Sequence, residues 1–205
     1  KTQMITPKIN GLILIDCWEF DKDLLVQASK TTKLRFQKQQ IFYTNLVDNL
    51  RKFKFLGVIN ANTQNIETSE IVQTYLSGCT NVCKLDSQDN FTELRNSKPW
   101  KDIKHWLVVG TTWQVCVHLN DMGLCSFTTI SSQYPELCFY GAPWGFLKHN
   151  LKQTSSRDFN NDLLSWTGVG KLFKLDPEVV ENLDSTKQHT RTDWIRNKYI
   201  NETPN

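Results

Sequence analysis

Three apolar runs of strand length punctuate the chain: GLILI at 11–15, FLGVINA at 55–61 and WLVVG at 106–110. The runs are nearly continuous rather than alternating with polar residues, the pattern of strands covered by helices on both faces. Between the first two, Phe42, Leu46, Leu50 and Phe53 recur at helical spacing within IFYTNLVDNLRKF, so strand leads to helix and back to strand. The polar stretch 21–40 carries no predicted element. Further on, SEIVQTYLSG predicts a short amphipathic helix opened by Ser69, NVCKL a short strand, and NFTELRNSKPWKDIKH a partly helical crossover into WLVVG. After Gly110 a helix is predicted through Cys116 to Met122, then a strand at CSFTTI, and residues 131–156 read as a long ordered loop. RDFNNDLLSW, GKLFKL and DPEVVENL predict a closing helix, strand and helix, the last with Asp176 as N-cap and Pro177 in its first turn. This alternation predicts a single α/β domain over residues 1–184, three layers (α/β/α) around a mostly parallel, Rossmann-like sheet of about six strands. Residues 185–205 form a polar tail.

At 205 residues the chain is long enough to bury a full three-layer core. The net charge of +3, from 24 basic and 21 acidic residues spread along the chain, gives no electrostatic reason to expect nucleic acid. No apolar run approaches the ~20 residues of a membrane span, and the opening KTQMITPK has no apolar centre of the signal-peptide kind. The expectation is a cytoplasmic protein without a membrane partner. Lysine outnumbers arginine 18 to 6, a bias of AT-rich genomes; for a phage-encoded chain the compartment becomes virion or host cytoplasm. Six cysteines with no CxxC pair are too sparse for a disulfide scaffold, so reduced thiols are expected.

Ligands of open parallel sheets bind beyond the carboxyl ends of the strands. Three chemically capable residues are predicted there: Asp16 after the first strand, Lys84 in NVCKL, and Cys116 beyond WLVVG. Singly, each has a plain structural reading: a capping aspartate, a solvated strand-end lysine with Lys98, Lys101 and Lys104 nearby, and a buried thiol. The segment after the first strand, DCWEFDKD, has no glycine, which argues against a dinucleotide or P-loop site. Trp18, Trp113 and Trp144 fall in loops expected on the same face, either lining an aromatic pocket for a flat substrate or anchoring core and interface. The four histidines show no ligand spacing, so no metal and no other cofactor is expected.

Taken together, LIDCWEF, VCKLDSQDNF and VVGTTWQVCV resemble the isochorismatase-like cysteine hydrolases, a family that includes nicotinamidases and N-carbamoyl amidohydrolases. The likeness runs from about residue 10 to 184: an apolar strand ending Ile-Asp with an aromatic close behind, a lysine 32 residues before the cysteine, and Gly110 six residues before Cys116, which Val117 follows. The resemblance implies that Asp16 takes the thiol proton of Cys116 and later gives it to the leaving group, and that Lys84 holds the ionic pair in place. It also implies an oxyanion hole from the backbone N–H groups of Thr112 and Cys116. The implied activity is cleavage of a C–N bond in a small amide or carbamoyl substrate through a thioester, by a homo-oligomer. This chain departs from the family at Trp113, where a small residue is usual, and at NANTQN, where metal-binding members carry an Asp and paired His. An alternative therefore stands beside the enzyme: a catalytically inactive scaffold of the same fold, serving as a structural or interaction subunit.

Overall fold

Gly11–Ile15 (β1) is buried at every position, as its unbroken apolar run requires, and forms the centre of a parallel sheet. In a computed structural model, the structure describes residues 8–19, 25–62, 67–85, 88–111, 134–147 and 173–174. On one side β1 pairs with Gly57–Ala61 (β2), which pairs with Val82–Leu85 (β3). On its other side β1 pairs with His105–Thr111 (β4), which pairs with Cys138–Gly141 (β5). All these pairings are parallel. Phe146–Leu147 (β6) adds to the carboxyl end of β4, and Phe173–Lys174 (β7) lies antiparallel to β5. The order β3-β2-β1-β4-β5-β7 places the reversal of strand order, from leftward to rightward addition, between β1 and β4.

Helices take the two faces by the period-2 alternation of the strands. Leu12 and Leu14 of β1, Val58 of β2, and Leu107 and Val109 of β4 face Lys30–Leu50 (α1) and Glu70–Ser77 (α2), packing against Phe42, Tyr43, Leu46, Leu50 and Val72. The opposite face, with Gly11 and Trp106, meets Gln88–Leu94 (α3) and the 3-10 turn Trp100–Asp102: Phe91 sits edge-on to Trp106, and Ile103 packs where a side chain at Gly11 would stand. The three-layer α/β architecture with a mostly parallel sheet is thus present.

Two elements differ from the sequence pattern. The helix α1 begins at Lys30, twelve residues before its first apolar anchor, and its polar first half is started by Ser29, whose hydroxyl accepts the Thr32 N–H. Within residues 131–156, expected as loop, the structure has the strands β5 and β6 around a 3-10 turn at Pro143–Gly145. The four residues of β5 are too few to display a period, and their strand character comes from pairing with β4. The helix expected through Cys116, the strand CSFTTI, the closing helices and the tail lie outside the described residues. Among the described residues no helix is long and apolar enough to cross a membrane.

Candidate functional site

The chain leaves β1 through Asp16, which is fully buried and adopts φ 50°. That left-handed backbone is uncommon except for glycine, asparagine and aspartate, and it turns the chain abruptly across the carboxyl ends of the strands. Hydrogen bonds fasten the turn from several directions. The Asp16 N–H donates to the Ala61 carbonyl of β2 at 2.9 Å, and the Trp18 N–H donates back to the Asp16 carbonyl at 2.9 Å. Ser69, just before α2, donates its N–H to the Cys17 carbonyl at 2.8 Å. From α1 the Tyr43 hydroxyl donates to the Trp18 carbonyl at 2.8 Å. The indole Nε1–H of Trp18 donates to Asn62 Oδ1 at 3.0 Å, just past the end of β2.

Glu19 continues this fastening: its Oε2 accepts the Glu70 N–H at 2.6 Å, so the start of α2 is capped by a carboxylate from the post-β1 segment. Ser69, placed by sequence as the N-cap, makes no side-chain capping bond. A carboxylate at a helix N-terminus is favoured by the orphan N–H groups and the helix dipole. Behind the turn, Asn60 Nδ2 donates to Thr68 Oγ1 at 2.9 Å, and Gln73 Nε2 donates to the Thr68 carbonyl at 2.7 Å. Asn60, Asn62, Thr68 and Ser69 are all buried, a polar layer at the carboxyl ends of β1 and β2.

Beside this turn lies the end of β4. Gly110 has φ 154° and is the register partner of Ile15, and a Cβ there would lie 2.1 Å from the Ile15 carbonyl oxygen. Glycine at this position lets the backbone of β4 come against β1 immediately before Asp16. From Thr111 onward the chain runs towards Thr112, Trp113 and Cys116, which lie outside the described residues.

The electrostatics separate the thiols. Burial pushes the Cys17 thiol far above its ordinary range, and the neighbouring Asp16 charge pushes it the same way. Cys79 and Cys83 are also pushed up, chiefly by burial. These three thiols stay protonated near neutrality and are poor nucleophiles. Tyr43 is raised first by burial and then by the charges of Cys17, Glu19 and Asp16. For Cys17 the linkage has a definite sign. Its folded pKa lies above the unfolded value of ~8.5, so the stability from burying a neutral thiol is complete below that pH and is lost as pH rises. By pH 10 the loss amounts to about 2 kcal/mol. Urea unfolding at pH 8 and pH 10 should therefore show Cys17→Ala losing less stability than the wild type across that interval; equal losses would remove Cys17 as the cause.

Of the remaining candidates, Trp18 is half-buried in the turn beside Asp16. Trp144 is 5% exposed, in the 3-10 turn after β5, with its ring 6.1 Å from that of Phe53 and inside the core on the α1 face. Of the two roles open to it, packing is what the structure displays. Lys84 is exposed on the edge strand β3, where its register partner is Asn60; it makes no ion pair or side-chain hydrogen bond among the described residues. The structure thus brings Asp16 and Trp18 together and leaves Lys84 two strands away. No group of three or more His, Cys, Asp or Glu suited to a metal occurs among the described residues. Sequence reasoning passed over Tyr43, Asn62 and Glu19; the polar residues closing FLGVINAN were the one local hint of a polar layer.

No family model matches the chain, and no curated protein sequence matches it. Among solved structures it is similar to MAR1 ribonuclease from Caenorhabditis elegans, at 13% identity and a TM-score of 0.40, over 98% of this chain and 94% of that one. The α/β architecture stands on the strand pairings of this chain itself.

Proposed function

We propose that the chain is a cysteine hydrolase that cleaves a C–N bond of a small amide or carbamoyl compound. The observation that carries this reading is the placement of Asp16: a buried carboxyl group at the strand-order reversal, held in a left-handed turn, beside the strand whose continuation bears Cys116. Ligands of open α/β sheets bind at this point. In the proposed cycle Asp16 takes the proton from the Cys116 thiol, and the thiolate attacks the substrate carbonyl carbon. The N–H groups of Thr112 and Cys116 hold the resulting oxyanion, as preorganised donors do in acyl transfer. Collapse breaks the C–N bond, and the nitrogen leaves with the proton from Asp16. Water then attacks the thioester, Asp16 takes one of its protons, and release of the acid restores the thiol. Lys84, exposed near the carboxyl end of β3, supplies positive charge to the same end of the sheet.

Trp18 fits the reading as an aromatic wall, since its indole is fixed beside Asp16 by Asn62. The domain spans residues 1–184, and the protein assembles from identical copies. The test is release of ammonia or amine from a panel of primary amides and carbamoyl compounds, wild type against Cys116→Ala. Acid-quenched wild type should carry an acyl mass adduct on Cys116. Absence of both turnover and adduct across the panel favours an inactive scaffold.

A further inference from the structure

The turn that presents Asp16 is held from the sheet side by β2 and from the α2 side by Ser69. From α1 the Tyr43 hydroxyl bonds the Trp18 carbonyl, and Gln40 Nε2 donates to Glu19 Oε1 at 3.5 Å just beyond it. Tyr43 is fully buried, with its ring packed beside Phe42 in the core, so its hydroxyl is delivered from a rigid position. The groups facing that hydroxyl are the Trp18 carbonyl, which accepts its proton, the Gln39 side chain, and the charges of Asp16, Glu19 and Cys17. Gln39 is itself buried and lies one helical turn before Tyr43. The hydroxyl of Tyr43 thus reaches from the core to the carbonyl two residues beyond the carboxylate.

Backbone in the left-handed region persists where the surroundings over-determine it. The bond from Tyr43 acts at Trp18, the residue whose own N–H closes back on the Asp16 carbonyl. Loss of that bond frees the carbonyl end of the turn and lets both the Asp16 carboxyl group and the Trp18 ring move. We propose that Tyr43 is a positioning residue: its hydroxyl, bonded to the Trp18 carbonyl, fixes the left-handed turn that aims Asp16 at the nucleophile. The inference rests on the hydrolase reading, in which Asp16 is the proton acceptor for Cys116.

Tyr43→Phe tests it, because the ring and its packing stay and only the hydroxyl goes. The readout is the pH profile of Cys116 alkylation by iodoacetamide, followed by mass spectrometry in the full chain beside Asp16→Asn. Tyr75→Phe serves as control: it is a tyrosine of α2, also raised by burial, whose neighbour is Cys79 rather than the turn. The Tyr43→Phe profile should move to higher pH, with the rate at pH 7 falling roughly tenfold, about what one lost hydrogen bond changes in an equilibrium. Exchange of the Trp18 backbone amide should quicken to a similar degree. Tyr75→Phe should change neither.

If Tyr43→Phe lowers only the unfolding temperature and leaves the Cys116 profile in place while Asp16→Asn shifts it, Tyr43 is structural. That outcome overturns the inference and leaves the hydrolase reading standing. A shift in Tyr43→Phe without one in Asp16→Asn also overturns it, since the effect then bypasses Asp16. If neither substitution moves the profile, the hydrolase reading fails and takes the inference with it.

Discussion

Gly110→Ala should leave little folded protein. The added methyl group would stand 2.1 Å from the carbonyl oxygen of Ile15 and 2.8 Å from its carbon, and the backbone would have to hold φ 154° with a side chain present. The obstacle is backbone in the central pair of the sheet rather than the end of a flexible side chain, so relief requires β1 and β4 to part. Strain of the dihedral and overpacking each cost roughly 1–3 kcal/mol. A combined loss of about 4 kcal/mol is a large fraction of the ~5–15 kcal/mol that holds a typical domain together. Urea unfolding followed by far-ultraviolet circular dichroism measures it directly. A loss under about 1 kcal/mol would mean that the close approach of β4 to β1 is not as described.

Asp16→Asn has the largest expected effect on activity and a small one on folding. Asparagine tolerates the left-handed region about as well as aspartate does, so the turn at φ 50° survives. What disappears is the ability to take a proton from Cys116 and return it to the leaving nitrogen. General acid–base catalysis of this kind contributes about 10²–10⁴-fold, and turnover of any substrate found for the wild type should fall by that factor with an unchanged circular dichroism spectrum. Turnover within about threefold of wild type would exclude Asp16 as the general base.

Much of the fold was written locally. The run GLILI could only be a doubly covered strand, and its placement at the centre of the sheet follows from being buried at every position. SEIVQTYLSG marked both ends of α2, with Ser69 before it and Gly78 after it. The first half of α1 was silent because Lys30, Lys33 and Gln37 face water and display no apolar period. Strand β5 was silent because Cys138–Gly141 is four residues long and owes its conformation to β4.

The site divides along the same line. Asp16 announced itself as an acid ending an apolar strand. The residues that shape its surroundings did not, because Tyr43 reaches Trp18 across 25 positions and Asn62 reaches it across 44. Glu19 caps α2 from 51 residues away, displacing the Ser69 cap that the local sequence suggested. Hydrogen bonds over such separations leave no periodic trace in the chain.

The pairing of Cys116 with Asp16 is read directly from the rate of iodoacetamide labelling of each of the six cysteines against pH, in the wild type and in Asp16→Asn. Cys116 alone should titrate well below the free-thiol value of ~8.5, and Asp16→Asn should move it back up. Cys17, Cys79 and Cys83 should stay slow near neutrality, as their burial demands. A Cys116 that labels no faster than Cys79 and Cys83, and ignores the loss of Asp16, is not a nucleophile activated by that carboxylate.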